Sequence, residues 1–540
     1  MSNQTVRGQR RQVDRRESVA SSAWCIVAVS ACAVLLATVL AACGSDTGHR
    51  PGVPSATPAR TSGSGSVRSA AGVARSGTTP ARAPAPLPVA PVTWTPCGSD
   101  LQCGSVAVPL AYAKPEGATI QIALERHPAE DPAARIGSLV FDPGGPGASG
   151  IDAMSEVLAI LPVAVLDRFD IVAFDPRGVG RSDPVSCGPA TSTSTGPLPD
   201  PVPQTAAARL VLLGSDQAFA AACARSSGPL LAHVGTVDAA RDLDRIRAAL
   251  GDRRLSYIGF SYGTLLGAVY AELFPTHVRA MVLDGAIDPA LSTDAMTLDQ
   301  AEGFEASLER FFSWCATTAT CPWRPAGDPT SALLAAIAAS RSAPVPAGAG
   351  RSAGPGAIYD ALLDGLYAPS FYPELGNVLG ALATGDGGPI LAMSDAYVAN
   401  GSPNGAAAGA AIDCLDHPVT RDLAAYQALA ASDGARAPVF GPLLAWGELG
   451  CAVWPVPPTR TPGPVVAAGS PPIVVVGTTG DPATPYAWAV AIAGQLRHGA
   501  LVTWQGTSHV ATYYSSCVRS IEAAYLTQLT VPGAGTTCTD

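Results

Sequence analysis

Short apolar runs punctuate this chain, and their spacing sets its plan. They are Ser105–Val108, Thr119–Leu124, Gly137–Phe141, Ile171–Phe174, Leu255–Ile258, Ala280–Leu283, Ile473–Val476 and Leu501–Trp504. Several are continuous rather than alternating, as in parallel strands covered on both faces. Helical stretches lie between them, such as Val237–Leu250, whose Asp242, Asp244, Arg245 and Arg247 suit a solvated face. Strands alternating with helices predict an α/β fold with a mostly parallel sheet of eight strands. Between the sixth and seventh strands the pattern breaks for about 175 residues, from Pro289 to Gly463. That far exceeds a normal connector. Residues 289–463 are therefore expected to form a large, mainly helical lid over the C-terminal edge of the sheet. It divides the core into residues 92–288 and 464–540.

The beginning of the chain follows neither period. Arg7, Arg10, Arg11, Arg15 and Arg16 precede an uncharged apolar stretch, Ala23 to Leu40, which runs into Leu40-Ala41-Ala42-Cys43. This predicts a signal peptide over residues 1–42. Its ending is like a bacterial lipobox, in which Cys43 becomes lipidated and the new N-terminus. The stretch is also long enough to span a bilayer, so an uncleaved anchor is the alternative. Either reading puts the rest outside the cytoplasm, as a cell-membrane lipoprotein or an envelope-associated or secreted protein. Residues 43–91 are Pro, Ser, Gly, Ala and Thr with scattered Arg, too poor in large apolar side chains to fold. Such a coil reaches on the order of 40 Å, enough to hold a catalytic domain off a membrane.

Charge narrows the partners. Loss of residues 1–42, with five Arg against Asp14 and Glu17, takes the formal net charge from −10 to −13. An acidic chain without a basic stripe argues against nucleic acid. The cysteines agree with export. Setting aside Cys25, Cys32 and Cys43 leaves ten of the 13, an even number. Connectivity is not fixed by sequence. Sequential pairing gives five local bridges: Cys97–Cys103, Cys187–Cys223, Cys315–Cys321, Cys414–Cys451 and Cys517–Cys538. No C-x₂-C pair exists to suggest zinc, and neither a metal nor an organic cofactor is implied.

The chemistry centres on Gly259-Phe260-Ser261-Tyr262-Gly263, at the junction of an apolar strand and a helical stretch. A serine in G-x-S-x-G there sits on a sharp elbow with its hydroxyl exposed above the sheet. A hydroxyl needs a base to become a nucleophile, and the base needs an orienting acid. In elbows of this kind the three follow in the order Ser, Asp/Glu, His. Only His498 and His509 come late enough, and His498 precedes its strand, at the wrong edge. His509, in Gly506-Thr507-Ser508-His509, follows the strand and is the base. Asp481 lies in the loop after Ile473–Val476 and is the favoured acid, with Asp284 in Val282-Leu283-Asp284-Gly285 as its competitor. The turn Asp142-Pro143-Gly144-Gly145-Pro146-Gly147 offers unobstructed backbone N–H groups. Gly145 and Tyr262 are the expected oxyanion donors. Asp175-Pro176-Arg177-Gly178-Val179-Gly180-Arg181-Ser182 reads as scaffold.

Together G-G-P-G, D-P-R-G-x-G-x-S, G-x-S-Y-G-T, the late G-D-x-x-T-P and the terminal His resemble one family. It is that of the secreted actinobacterial tripeptidyl aminopeptidases and mycobacterial cell-envelope serine proteases, α/β-hydrolases similar to prolyl aminopeptidases. The likeness covers residues from about Val92 to the C-terminus. It implies Ser261, Asp481 and His509 as triad and release of short peptides, tripeptides in the family, from free N-termini of peptide or protein substrates. Asp142 departs from the family's usual Asn, and Ser508 from a usual Gly. A carboxylesterase or acyltransferase with the same triad is the alternative reading. An aminopeptidase must hold an ammonium. Glu302 and Glu305 share a helix face with Glu309 and are the first candidates, with Asp413 and Asp416 as rivals. The lid aromatics Phe304, Phe311, Phe312, Trp314, Trp323, Tyr367, Phe371, Tyr372, Trp446 and Trp454 are expected mostly in its core.

Overall fold

The computed structural model describes residues 89–188, 199–399 and 402–540. The signal segment 1–42, Cys43 and nearly all of the linker expected over residues 43–91 lie outside the described residues. In chain order the strands are β1 (Thr95–Gly98), β2 (Leu101–Pro109), β3 (Thr119–His127), β4 (Gly137–Asp142), β5 (Phe169–Phe174), β6 (Leu255–Phe260), β7 (Val278–Asp284), β8 (Val345–Pro346), β9 (Ser352–Ala353), β10 (Ile473–Thr478), β11 (Gly499–Trp504) and β12 (Thr536–Cys538). Among the described residues the main sheet has ten strands, in the order β1-β2-β3-β5-β4-β6-β7-β10-β11-β12. Pairings from β1 through β3 to β5 are antiparallel, and those from β5 to β12 are parallel.

Every residue of β4, β5, β6 and β10 is buried. Their alternate side chains feed two cores on opposite faces. Val140, Tyr257 and Val475 pack in one, and Phe141, Ile258 and Val476 in the other. This is why the runs read as continuous apolar stretches. Truncating Ile258 to Ala would cost about 2–5 kcal/mol.

The sheet has two more strands than the apolar runs indicate. β1 is exposed along its whole length and β12 is three residues long, so neither carries an apolar signature. Disulfides tie both down. Cys97–Cys103 joins β1 to β2, and Cys517–Cys538 ties β12 to the C-terminal helix Ser516–Gln528. The other bridges are Cys187–Cys223, Cys315–Cys321 and Cys414–Cys451, so all five join successive cysteines.

The segment between β7 and β10 is a helical lid with its own core of Phe304, Phe311, Phe312, Trp323, Tyr367, Tyr372 and Trp446. Trp314 and Phe371 pack against that core, while Trp454 belongs to a core of the sheet. The lid's two ends meet. The Gly463 amide donates to the Pro289 carbonyl at 3.0 Å, and Arg460 Nη1 donates to the same oxygen at 3.1 Å. Asn404 clasps the lid to the core. Its Nδ2 donates to the carbonyls of Gly178 and Val185, and its Oδ1 accepts from the Gly180 amide, each at 2.9 Å. No helix of the described residues is long and apolar enough to cross a membrane.

Candidate active site

β6 ends at Phe260 and the helix Tyr262–Leu273 begins two residues later, so Ser261 must turn the chain alone. It does so at φ 52°, ψ −121°. A non-glycine residue there stores about 1–3 kcal/mol of strain. The turn is held because the Ser261 amide donates to the Asp284 carbonyl at 3.0 Å. A Cβ at Gly259 would lie 2.3 Å from the Gly263 carbonyl oxygen, and one at Gly263 would lie 2.6 Å from that of Asp142. Both positions therefore require glycine.

His509 follows β11 and Asp481 follows β10, two neighbouring parallel strands, so their loops leave the sheet at one edge. The His509 Nδ1 stands 2.9 Å from each Asp481 carboxylate oxygen, and both side chains are buried. Asp481 also accepts the amides of Ala483 (2.9 Å) and Thr484 (2.8 Å) and the Thr484 hydroxyl (3.0 Å). These donors fix the carboxylate, and the carboxylate fixes the proton on Nδ1. The other ring nitrogen, Nε2, has no hydrogen-bond partner among the described residues. The lid reaches this point too. The His509 amide donates to the Tyr367 carbonyl at 2.9 Å, and the two rings lie 5.5 Å apart. Lid Gln300 donates to the Ala483 carbonyl at 2.8 Å, steadying the Asp481 loop.

Asp284 serves another purpose. Its carboxylate accepts the amides of Ala511 (3.1 Å) and Thr512 (2.7 Å) and the Thr512 hydroxyl (2.6 Å), just past His509. Glu522 sits on the other side of that hydroxyl at 2.8 Å. One hydroxyl proton cannot serve two carboxylates, and burial pushes Glu522 well up, so it keeps its proton and donates. Burial raises Asp284 to about 6. His498 stands at the opposite end of the strands, where its carbonyl receives the first amide of β10.

The glycine turn after β4 is pressed onto the elbow. A Cβ at Gly144 would lie 3.1 Å from Ser261 Cβ and 3.2 Å from the Tyr262 nitrogen. The Gly144 amide is taken by Asp142 Oδ1 at 2.9 Å. Arg177 is fully buried. It forks onto Asp242 at 2.6 Å from both Nε and Nη2 and donates to the carbonyls of Leu110 and His233, a scaffold role.

The carboxylates expected to anchor an amine mostly have other partners. Glu302 is ion-paired with Arg436 at 2.5 Å. Glu305 turns into the lid, where it accepts the amides of Val439 (3.0 Å) and Phe440 (3.3 Å) at the start of the helix Phe440–Gly447. A helix N-terminus is a natural seat for a buried carboxylate. Both first candidates are therefore corrected to structural roles. Asp416 is also buried and spoken for, by the amide (3.0 Å) and hydroxyl of Thr236. That hydroxyl in turn accepts from the Tyr262 phenol at 2.5 Å. Half-buried Asp413 precedes Cys414, whose bridge partner Cys451 lies three residues beyond Glu448. Burial, then the charge of Asp413, pushes Glu448 up to about 8. Glu448 has no motif around it, and only the staple reveals its place.

The geometry can be set beside known proteins. Residues 137–326 match the alpha/beta hydrolase fold family and residues 437–538 the TAP-like protein family. Serine protease Hip1 of Mycobacterium tuberculosis is 39% identical over 481 residues, covering 83% of this chain and 91% of its own length. This chain belongs to the Hip1 and tripeptidyl aminopeptidase family of α/β-hydrolases. Tripeptidyl aminopeptidase of Streptomyces lividans is 32% identical over 459 residues, covering 81% of this chain and 84% of its own. Carboxylesterase B of M. tuberculosis is 34% identical over 461 residues, covering 81% and 86%. The chain is a serine hydrolase.

Proposed function

We propose that the protein is an exported serine aminopeptidase that releases short peptides, tripeptides by analogy with its relatives, from free N-termini. The observation that carries the reading is the buried His509–Asp481 pair at the same sheet edge as the strained Ser261. Ser261 Oγ attacks the scissile carbonyl while His509 Nε2 takes its proton, and Asp481 steadies the imidazolium. The amides of Gly145 and Tyr262 hold the oxyanion, Gly144 being occupied by Asp142. His509 then protonates the leaving amine, and water releases the acyl group by the same steps in reverse.

The substrate's ammonium is assigned to the region of Asp413 and Glu448. Asp413 acts electrostatically on both Glu448 and Tyr262, the residue after the nucleophile. A cation there would pair with Asp413 and draw off the proton that burial keeps on Glu448. Export is supported by the five disulfides, which persist in oxidising compartments. Lipidation at Cys43 would tether the enzyme to a membrane.

Acetylating a peptide's N-terminus should lower kcat/KM by two to three powers of ten, corresponding to about 3–5 kcal/mol for an unpaired buried charge. Glu448→Gln should damage cleavage of free peptides and spare blocked ones. Equal cleavage of blocked and free peptides, with faster turnover of simple esters, would favour the activity that the carboxylesterase relative's name describes.

A further inference from the structure

Asp142 ends β4 directly opposite Gly259 of β6, beneath the elbow. It is fully buried, and only one of its two carboxyl oxygens is used. Oδ1 accepts the Gly144 amide at 2.9 Å, while Oδ2 has no partner among the described residues. The helix crowds it as well, since a Cβ at Gly263 would meet Oδ1 at 3.0 Å. Through Gly144 this carboxyl group touches the turn that abuts Ser261 Cβ and the Tyr262 nitrogen.

We propose that Asp142 is a positioning residue that works as an uncharged carboxylic acid, holding the Gly144–Gly145 turn against Ser261, and that its ionisation switches the enzyme off on the alkaline side. The proposal rests on Ser261 being the nucleophile and not on the class of substrate. Among the described residues the titratable groups linked to Asp142 are Asp175, Tyr257 and Tyr262, and the Arg181 guanidinium is paired instead with Asp152 (2.8 Å) and Asp175 (3.6 Å). Asp175, at the end of β5, is itself acidic and is engaged with the Ser149 hydroxyl and the Ile151 and Arg181 amides. Tyr257 on β6 gives its proton to the Gly263 carbonyl, and Tyr262 gives its own to Thr236. An ionised Asp142 would be a fully buried charge with no ion-pair partner among the described residues, which is costly in a protein interior. Burial accordingly raises it to about 7, with Asp175 adding to the effect. The neutral acid presents a carbonyl-like oxygen to Gly144, as an amide would. The ionised form places a negative charge under the spot where the transition state develops its own.

The test compares Asp142→Asn and Asp142→Leu with the wild type, using a peptide amide and a simple ester, from pH 5 to 10. Wild-type kcat should fall toward tenfold per unit above about pH 7 as the ionised form of Asp142 accumulates. The Asn variant, whose amide presents the same acceptor, should match the wild type on the acid side and abolish the alkaline fall. The Leu variant, lacking the acceptor, should be slow at every pH yet keep its thermal stability within a few degrees. A wild-type rate that stays level to pH 9, or an Asn variant that keeps the alkaline fall, overturns the proposal. So does an Asn variant that is folded but inactive throughout, because the carboxyl would then be needed as an anion. Should Asn fail to fold, Asp142→Ser, small and uncharged, must likewise lose the alkaline fall.

Discussion

Asp284 touches both Ser261 and the loop that carries His509. Its carbonyl accepts the Ser261 amide at 3.0 Å, while its carboxylate accepts the amides of Ala511 and Thr512. One residue at the end of β7 thus ties the strained elbow to the backbone just beyond the base. Position after a strand made Asp284 a rival for the acid of the triad. Its contacts make it a joint between Ser261 and the loop that carries His509.

Asp481→Asn should leave the fold intact and lower kcat by up to about 10⁴, because the amide would hold the wrong tautomer of His509. Asp284→Asn should behave differently. An amide NH₂ would face backbone N–H groups, lowering stability by about 1–3 kcal/mol and slowing turnover by misplacing His509. Thermal melts and steady-state rates separate the two. Full stability in the Asp284 variant would show that the joint carries nothing.

Ser261→Ala should fold normally and lose essentially all turnover. A fluorophosphonate should label the wild type at one residue, found by peptide mass mapping. Labelling at any other serine, or an active Ala variant, removes the proposed nucleophile.

Asn404→Ala removes three hydrogen bonds between lid and core and leaves the Val185 carbonyl and the Gly180 amide without partners, while the Gly178 carbonyl keeps the Val185 amide. The expected loss is about 1–3 kcal/mol. It should appear as a lower melting temperature together with faster proteolysis of the lid. Unchanged proteolysis would mean that the lid is held elsewhere.

Stability should fall as pH rises from about 5 to 8. Asp142, Asp216, Asp360 and Asp364 are pushed to about 7 by burial, and Glu448 to about 8. In the folded state these groups keep protons that the unfolded chain has already released, so the folded state binds more protons in this window. Stability is then present at low pH and is lost as pH climbs through the folded values. Melting temperatures that rise from pH 5 to 8 would contradict this sign.

Cys43→Ala should abolish lipid attachment and move the protein to the soluble fraction. Mass spectrometry of the membrane-bound mature protein reads the result directly. An unmodified Cys43 there would end the lipoprotein reading.

The placing of Ser261, Asp481 and His509 at one sheet edge was legible because each follows a strand of the parallel sheet, such as Val474–Val476 before Asp481. The edge strands were not legible, because β1 and β12 are held by disulfides rather than by apolar side chains. Glu302 and Glu305 misled for a different reason. Helical spacing identifies a shared face but not what that face meets, and Glu305 meets the amides that open another helix. Asn404 and the Asp142 carboxyl act through backbone groups that no residue pattern displays. The departure at Asp142 was visible in the turn, but its unpartnered oxygen was not.

The hydrogen bond between Gly463 and Pro289 means that the chain leaves the sheet and returns to it through a single doorway. Whatever is built beyond that doorway changes the length and direction of the chain through the sheet very little. A different helical insert joined at the same two residues would find the elbow in place, but would have to supply substitutes for the Tyr367 carbonyl and Gln300 that hold the His509 and Asp481 loops. The insert can therefore vary widely in what it encloses, provided that those two props are kept.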